Sequence, residues 1–402
     1  MIYDAVVAGA GPAGSTAARL LAREGASVLL LDRARFPRDK PCGGGVTLRA
    51  ASAQDLDLSP VIERTVYGAR FSLRLGPSFD RRFDRPLAYM TQRCRLDAFL
   101  AEAAASAGAA FHDSEPVRSI ETPASGGSGF SLTRPAVTLR TETDTYRARA
   151  LIGADGANGV VGKMAAVGNR FEEAVALEGN IPFAGDVPAE WQQFVGLDLG
   201  ALAGGYGWVF PKGDHLNVGV GAWKYAAFTL RPKLDQLARR YGFDPQTLEN
   251  LRGHHLPVRI PGSPVARGPV ALAGDAAGLV DPLSGEGIHM AFASGALAAR
   301  SVLRYLSGEQ PDLTSYQRAV DRRLQRELTI SRKLQELFNF APPPWVALMQ
   351  RNERFWRFFC YLIRGDLTYL DFVRMIGPLS LAVDFFAGWA QRRRLSKVAA
   401  LR

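Results

Sequence analysis

The sequence contains few residues of the kinds that hold small secreted or metal-bound folds together. It has only three cysteines in 402 residues, Cys42, Cys94 and Cys360. Because they are odd in number and far apart, a disulfide framework and a cysteine-cluster zinc site are both excluded. The five histidines show no metal-ligand spacing either. We therefore predict a reduced, cytoplasmic protein with no bound metal.

Long hydrophobic runs are also absent. No uncharged apolar run reaches the roughly 18–20 residues that a membrane-spanning helix needs. The first residues, Met1–Asp4, carry no basic stretch of the kind that opens a signal peptide, so none is predicted. An apolar fraction of 47% with 22% charged residues excludes a disordered or fibrous chain. The length predicts two or three packed modules.

Lysine is scarce, since only 7 of the 49 basic residues are lysine, and the net charge is +10. Residues 300–402 contain 18 basic and 9 acidic side chains, a net charge of +9, so nearly all of the basic excess lies in the last quarter of the chain. Such a region can face an anionic membrane surface, but an arginine-rich composition alone also accounts for it. No nucleic-acid-binding module is recognised, so we predict no nucleic-acid partner.

The chain opens with a dinucleotide-binding pattern. Residues 2–8 predict a buried strand, which leads into the motif Gly9-x-Gly11-x-x-Gly14 at the start of a helix. In such a unit the first glycine allows a tight turn, the second lets a pyrophosphate approach the backbone, and the third lets helix and strand pack closely. The helix start offers free N–H groups to the phosphates. A second strand ends at Asp32, whose carboxylate can accept hydrogen bonds from ribose hydroxyls.

A second glycine-rich pattern lies far downstream. The predicted strand 270–273 ends at Gly274-Asp275, and Gly285-Glu-Gly287 then opens a helix. A carboxylate at a strand end can bind the ribityl hydroxyls of a flavin, and glycines at a helix start can direct N–H groups at the phosphate and at the O2 edge of the flavin ring. An NAD enzyme does not need this second half-site. The two patterns together therefore indicate FAD as the cofactor.

The two patterns, with Arg93 in the segment between them, resemble the glutathione-reductase-type FAD fold of the aromatic-hydroxylase group. This resemblance implies an α/β chain, α+β overall. It would have a Rossmann-like FAD-binding domain, an antiparallel-sheet substrate domain and a helical C-terminal region. We predict that the FAD-binding domain is discontinuous, and we divide the chain into residues 1–65, 91–170 and 262–330 for that domain, 66–90 and 171–261 for the substrate domain, and 331–402 for the helical region.

Two further segments narrow the resemblance, which covers about residues 1–300. Cys42-Gly43-Gly44 resembles the Cys-x-Gly-Gly turn of geranylgeranyl reductases. The segment 206–212, Tyr-Gly-Trp-Val-Phe-Pro-Lys, resembles their Tyr-x-Trp-x-Phe-Pro signature. The resemblance implies an FAD-dependent enzyme that saturates isoprenoid double bonds. The substrate would be a prenylated small molecule or lipid, such as a quinone or a pigment precursor.

The resemblance also implies which residues form the site. The substrate contacts would be Tyr206, Trp208 and Phe210, and direct chemical roles would fall to Cys42, Tyr206 and Trp208. The FAD contacts would be Gly9, Gly11, Ala13, Gly14, Asp32, Arg33, Cys42, Gly43, Gly44, Arg93, Val117, Gly274, Asp275, Gly285, Gly287 and Ile288.

Residue chemistry alone leaves the roles of several of these side chains open. Tyr206 and Trp208 are two apart on a predicted strand and face one side, where they form either an aromatic wall for an apolar chain or part of the sheet core. Cys42 is either a small buried turn residue or a thiol beside the flavin that donates a proton or tunes the ring. His254 and His255 are predicted to be loop or packing residues.

The electron donor is undecided between NAD(P)H and a ferredoxin-like protein. The segment 153–159, Gly-Ala-Asp-Gly-Ala-Asn-Gly, resembles the Asp-Gly motif of the aromatic hydroxylases, which lies near their pyridine nucleotide. It departs from that motif because Gly159 stands where serine is common and Gly162-Lys163 stands where arginine is common. These changes put a tight NADPH site in doubt.

The C-terminal region contains a weakly amphipathic segment, residues 351–364. Four apolar residues, Phe355, Phe358, Phe359 and Leu362, cluster on one side of a helical wheel, with arginines on a neighbouring arc. The segment is either an interfacial helix on anionic lipid, which makes peripheral membrane association a candidate, or a packing helix with snorkelling arginines.

Two rival functions belong to other classes. The first is a flavin monooxygenase or halogenase, since the segment 206–211 is close to the Trp-x-Trp-x-Ile-Pro stretch of flavin halogenases but differs at two positions. The second is a non-enzymatic isoprenoid carrier of related fold, against which the intact glycine motifs argue. The substrate headgroup and the number of reduced bonds are left open.

Overall fold

The structure, a computed structural model, describes residues 1–122, 136–183 and 185–400. Its strands, in chain order, are β1 (Ile2–Ala8), β2 (Val28–Leu31), β3 (Gly45–Thr47), β4 (Arg64–Val66), β5 (Gly68–Leu73), β6 (Ser78–Arg82), β7 (Ala88–Met90), β8 (Ala110–His112), β9 (Ser119–Glu121), β10 (Val137–Arg140), β11 (Thr145–Gly153), β12 (Phe171–Pro182), β13 (Phe194–Leu199), β14 (Tyr206–Pro211), β15 (His215–Trp223), β16 (Glu249–Arg259), β17 (Ala266–Arg267) and β18 (Val270–Leu272).

The helices of the described residues lie mainly in the last third of the chain. They are α1 (Pro12–Arg23), α2 (Leu48–Ala51), α3 (Arg93–Ser106), α4 (Val161–Met164), α5 (Leu230–Arg240), α6 (Ile288–Leu306), α7 (Thr314–Val320), α8 (Arg326–Phe340), α9 (Pro342–Arg351), α10 (Glu353–Arg364), α11 (Tyr369–Ile376) and α12 (Ser380–Ala400).

A mostly parallel, eight-stranded sheet carries both glycine-rich patterns. Its main path is β17-β18-β11-β1-β2-β8, and β10 and β9 add an antiparallel extension to β11. Residues 5–8 of β1 are all buried and show no alternation, which is typical of a parallel strand with both faces covered. Helix α1 packs against α6 and α3 on this sheet. The motif glycines therefore lie at the carboxyl edge of the central strand.

The second sheet has seven strands in the order β16-β12-β15-β14-β13-β5-β6. All its pairs are antiparallel except β13 with β5. Along β14 the side chains alternate: Val209 joins the core under α5, and Tyr206 and Phe210 pack into a different cluster on the opposite face. A small third sheet, β3-β7-β4, carries the residues that follow the Cys42 turn.

The predicted fold class is confirmed: a Rossmann-like α/β part, an antiparallel sheet and a helical C-terminal region are all present. The eight strands of the first sheet fall within the predicted FAD-binding domain, and the seven of the second fall within the predicted substrate domain. The domain boundaries themselves stay a prediction. Of the two alternatives given for His254 and His255, loop or packing, the loop was wrong, because both lie in the long strand β16, where they pair with β12.

Candidate functional site

The first part of the site is the turn between β1 and α1. Gly9 has φ +105°, which a residue with a side chain rarely adopts. Gly11 is the N-cap of α1, and Pro12 is its first helical residue, so the free N–H groups of the helix start face outward from this turn. A Cβ on Gly14 would lie 1.8 Å from the carbonyl oxygen of Gly9, so the third glycine serves packing.

Asp32, at the end of β2, is fixed by the backbone around it. Its Oδ2 accepts a hydrogen bond from the N–H of Ala10 at 2.8 Å, and its Oδ1 accepts one from the N–H of Ala34 at 2.9 Å. The side chain is buried, and Arg38 lies 3.6 Å away. The carboxylate is thus oriented beside the motif turn before any ribose is bound.

Two arginines converge on the opening above Gly11. A Cβ on Gly11 would be 3.6 Å from Nη2 of Arg38 and 3.9 Å from Nη2 of Arg93. Both guanidinium groups are held by Asp97: Arg93 in a bidentate pair at 2.7–2.8 Å, and Arg38 at 2.8 Å. A backbone without a side chain, next to a helix start and two fixed cations, fits the pyrophosphate of FAD. Arg93 was predicted from the sequence as an FAD contact, but Arg38 and Asp97 were not identified as site residues.

The second half-site lies around Asp275. Lys40 Nζ donates a hydrogen bond to its Oδ2 at 3.1 Å, and His254 Nε2 is 3.9 Å from the same oxygen. Burial opposes ionisation of this carboxyl, but Lys40 and His254 hold its pKa well below the usual range. His254 Nε2 is buried and has no hydrogen-bond partner among the described residues. An ionised carboxylate and an unsatisfied ring nitrogen in one place suit the hydroxyl groups of a flavin side chain.

The Cys42 turn packs directly on β14. A Cβ on Gly43 would be 2.7 Å from Cδ2 of Phe210, so only glycine fits there. Lys212, at the end of the same strand segment, donates a hydrogen bond from Nζ to the carbonyl of Gly43. The Cys42 N–H donates to Oε1 of Glu178 at 2.7 Å, so the turn is tied to two strands of the second sheet.

The aromatic side chains of β14 form one surface. The rings of Tyr206 and Trp208 are 6.1 Å apart, and those of Trp208 and Phe210 are 6.3 Å apart. Their polar atoms are already bonded: Tyr206 OH donates to the carbonyl of Ser284 at 2.5 Å, and Trp208 Nε1 donates to Asn217 at 2.8 Å. The surface, which we call the aromatic wall, is therefore a fixed apolar face and not a set of free donors.

A cavity of about 880 Å³ joins these parts. Every predicted site residue lines it except Gly14. Beyond the aromatic wall the cavity continues between the C-terminal helices, where its walls are apolar and include Phe338, Trp345, Met349, Phe355 and Phe359. The apolar face of the segment 351–364 thus lines this cavity, and Trp356 and Cys360 of the same helix, which pack in the core, border it as well.

Three ionisable groups near the cavity were not found from the sequence: Glu178 and Lys212, which are buried, and Glu286, which is partly buried. Burial raises the pKa of Glu178 to about 7 and that of Glu286 to about 7, and burial lowers the pKa of Lys212 to about 8. The sequence did offer a signal for Glu178: it is the single acid in the second half of β12, where the other residues are apolar, glycine or asparagine. Such perturbed groups in a cleft mark candidate functional positions.

The Asp-Gly segment has a local structural role. Asp155 accepts hydrogen bonds from the N–H groups of Val160, at 2.5 Å, and Val161, at 3.0 Å, at the start of α4. A Cβ on Gly159 would lie 2.3 Å from Oδ1 of Asp155. This close approach explains why glycine occupies a position at which serine is common in the hydroxylase motif. The electron donor stays open.

Among the described residues no group of three or more His, Cys, Asp or Glu side chains is placed to hold a metal ion. Within residues 1–122, 136–183 and 185–400, no helix is long and apolar enough to span a membrane.

Comparisons with known proteins agree with this geometry. The profile of the FAD binding domain family matches residues 3–198. The geranylgeranyl diphosphate reductase of Rhodobacter capsulatus is 34% identical over 322 residues, 78% of either chain. The menaquinone reductase of Mycolicibacterium smegmatis is 33% identical over 369 residues, covering 83% of this chain and 86% of that one.

Solved structures show the same fold. A geranylgeranyl bacteriochlorophyll reductase-like protein from Thermoplasma acidophilum has a TM-score of 0.74 at 24% identity and covers 94% of this chain and 99% of its own. A flavin-dependent brominase has a TM-score of 0.69 at 18% identity and covers 91% and 94%. At these identities both similarities concern the fold alone.

The fold, the two half-sites and the matching domain define an FAD-dependent oxidoreductase. Within that class the chain belongs to the geranylgeranyl reductase family, as its similarity to full-length members shows.

Proposed function

We propose that this protein saturates isolated C=C bonds of a geranylgeranyl or other polyprenyl chain. The observation that carries the proposal is the cavity, which runs from the two FAD half-sites past the aromatic wall into an apolar compartment between α8, α9 and α10. A polyprenyl chain has no charge and few polar groups, so its recognition depends on apolar area and shape. The relatives named geranylgeranyl diphosphate reductase and menaquinone reductase support this substrate class.

In this proposal the chain's own residues hold FAD at two places. The turn at Gly11 with Arg38 and Arg93 would bind the pyrophosphate, and Asp32 would bind the adenosine ribose. Asp275 would bind the flavin side chain. The other predicted FAD contacts, which include Ala13, Arg33, Val117 and Ile288, line the same cavity. Once bound and reduced, the flavin supplies a hydride.

The aromatic wall would orient the alkene and exclude water. An isolated alkene has no carbonyl group to stabilise developing charge, so the rate depends on close positioning of the reacting carbon atoms. Tyr206 and Trp208 suit this role, because their polar atoms are bonded within the protein and their rings face the cavity. Cys42 contributes its backbone N–H to Glu178, and its thiol lies near the Arg93 guanidinium.

We also propose that a membrane delivers the substrate. Five exposed apolar side chains, which we call the apolar patch, lie on α11, α12 and the link between them: Met375, Leu379, Leu381, Phe385 and Phe386. This patch follows Phe372, a residue of α11 that lines the cavity. The patch lies in the region whose net charge is +9, which favours an anionic bilayer as the occupant.

The runner-up function is a flavin monooxygenase or halogenase. The fold is shared with a brominase, but the observations on the site favour neither oxygen nor halide chemistry. Membership of an oxidoreductase family with FAD removes the support for a non-enzymatic carrier.

The decisive experiment uses purified protein loaded with FAD and reduced by dithionite without oxygen. Geranylgeranyl diphosphate and a menaquinone are then added separately. We expect reoxidation of the flavin, seen as the return of its visible absorption, together with a product whose prenyl chain has gained two hydrogens per reduced bond, which distinguishes it from simple reduction of the quinone ring. Reoxidation only by O2 with a second substrate, and an oxygenated or halogenated product, would favour the runner-up.

A further inference from the structure

A buried carboxyl group borders the aromatic wall. Glu178 lies on β12, and its Oε1 accepts a hydrogen bond from the N–H of Cys42 at 2.7 Å. Across the sheet, Trp208 on β14 is opposite Gly219 on β15, which is opposite Glu178. Residues opposite each other on neighbouring strands have their side chains on one face. Only a glycine therefore stands in this row between the indole and the carboxyl group.

A buried cation lies on the other side of the same turn. Lys212 is 2% exposed, and its Nζ donates a hydrogen bond to the carbonyl of Gly43, the residue after Cys42. The remaining charged groups around Glu178 are Asp39, in the loop before the turn, and Arg252, its register partner on β16. Arg252 and Asp39 form an ion pair at 2.9 Å, and both are about half exposed, so water reaches this rim.

We propose that Glu178 is the acid that protonates the alkene, and that Lys212 is a positioning residue that stabilises the carboxylate left behind. This inference rests on the proposed function and names the proton source for it. Burial raises the pKa of Glu178 to about 7, so the acid form is well populated at neutral pH. Burial lowers the pKa of Lys212 to about 8, so the lysine is still mostly protonated there.

The step balances as follows. The C=C bond gains a hydride at one carbon, with two electrons from the reduced flavin, and a proton at the other carbon from the Glu178 carboxyl group. The π bond, the O–H bond of Glu178 and the bond that held the hydride on the reduced flavin break, two C–H bonds form, the flavin is oxidised, and Glu178 becomes a carboxylate. A proton from solvent, entering at the half-exposed rim near Asp39 and Arg252, restores the acid form of Glu178.

Two other proton-bearing groups at the cavity, Tyr206 and Glu286, are engaged elsewhere. Tyr206 OH donates to the carbonyl of Ser284, and burial raises its pKa above the usual range, so it holds its proton. Glu286 has a similarly raised pKa but accepts a hydrogen bond from Thr47 and not from the Cys42 turn. Glu178 is the carboxyl group that lies next to both the turn and the aromatic wall.

The test compares Glu178→Gln with wild type in the FAD-loaded protein. We expect dithionite reduction and FAD content to be unchanged, and flavin reoxidation by the prenyl substrate to fall by about 100-fold or more, the usual contribution of a general acid. In wild type that rate should decline as the pH rises through about 7, and this decline should be missing in the variant. Glu178→Asp, which keeps an acid, should retain the decline at a lower rate.

A second readout does not depend on turnover. Infrared difference spectra of the oxidised holoprotein between pH 5 and pH 9 should show loss of a protonated carboxyl band, part of which is absent in Glu178→Gln. Glu286→Gln is the matched control, because it should remove a different part of the band and keep the pH dependence of reoxidation. Lys212→Gln should shift that dependence to higher pH.

Different results would contradict the proposed function and the role of Glu178. If no prenyl compound reoxidises the wild-type flavin, the proposed function and this inference both fall. If wild type turns over and Glu178→Gln has the same rate and pH profile, only Glu178 is removed from the mechanism. Misfolding of Glu178→Gln would show as loss of FAD. In that case the rate and pH profile of flavin reoxidation in Glu178→Asp test the role of Glu178.

Discussion

The indole of Trp208 lies directly against the backbone of Gly219. A Cβ on Gly219 would be 2.1 Å from Cζ2 of Trp208, and the two residues are opposite each other on β14 and β15. The ring is also held by its hydrogen bond to Asn217. Gly219 therefore sets where the aromatic wall lies relative to the carboxyl group of Glu178.

Replacing Gly219 by alanine should displace the indole. Because the ring is fixed by Asn217, we expect a destabilisation of about 1–3 kcal/mol, the usual cost of overpacking. Prenyl turnover should fall more than FAD binding does. Thermal unfolding and FAD titration measure both effects. Gly221→Ala is the stability control, since a Cβ there would be 3.8 Å from the same ring. Equal unfolding temperatures for the two variants would contradict the prediction.

Alanine substitutions at two glycines of the N-terminal motif, Gly11 and Gly14, should affect different properties of the protein. A Cβ on Gly11 has no atom nearer than 3.6 Å, so Gly11→Ala should fold normally and yet lose FAD affinity by about tenfold, or 1.4 kcal/mol. A Cβ on Gly14 would lie 1.8 Å from the Gly9 carbonyl oxygen, so Gly14→Ala should lower the unfolding temperature itself. Circular dichroism melts and flavin fluorescence titration separate the two. An unstable Gly11→Ala protein would refute the assignment.

The sequence predicted the first sheet and its motif well, because they depend on local patterns. The strand 2–8, the helix that follows it and the carboxylate at Asp32 are all determined within about thirty residues, and the structure places them as expected. The predicted helical region 331–402 is also found, and within it the three prolines at 342–344 begin α9, since proline is favoured at a helix start.

Contacts between distant segments could not be predicted. Arg38 meets Asp97 across 59 positions of sequence, and Glu178 meets Cys42 across 136. Such pairs depend on how segments that are far apart in the chain pack together, which periodicity does not encode. The apolar face of the segment 351–364 was ambiguous for the same reason: lipid, core and cavity wall all require the same residues, and only the packing of α10 shows that this face lines the cavity.

Tyr206 should matter through its ring and through one hydrogen bond. Its hydroxyl donates to the carbonyl of Ser284 in the loop that carries the second glycine pattern. We expect Tyr206→Phe to keep FAD and to lower the rate of alkene reduction by about tenfold, because the loss of a buried hydrogen bond costs about 1–2 kcal/mol of positioning. Cys42→Ser should likewise keep FAD. Unchanged turnover in both variants would remove these two residues from the mechanism.

Stability should depend on pH through Glu286. Burial raises its pKa to about 7, whereas an unfolded chain ionises at its ordinary value of 4.5. The folded state thus keeps a proton that the unfolded state loses, so stability should fall as pH rises from 4.5 to about 7. In Glu286→Gln, the decrease in the free energy of unfolding between pH 5 and pH 8 should be smaller than in wild type by about 1–3 kcal/mol. Urea unfolding at the two pH values, with the same FAD content in both proteins, measures this difference. The exposed Glu142→Gln should follow wild type.

The apolar patch should bind an anionic bilayer. Phe385 and Phe386 are more than half exposed, and Arg392 and Arg393 follow them on α12. We expect the protein to sediment with vesicles containing phosphatidylglycerol, to bind neutral vesicles less, and to lose about tenfold in affinity in a Phe385→Asp/Phe386→Asp variant. Phe228→Asp, at an exposed phenylalanine outside the patch, is the matched control and should bind as wild type does. Self-association that the double variant abolishes, without vesicle binding, would instead assign the patch to a second copy of the chain.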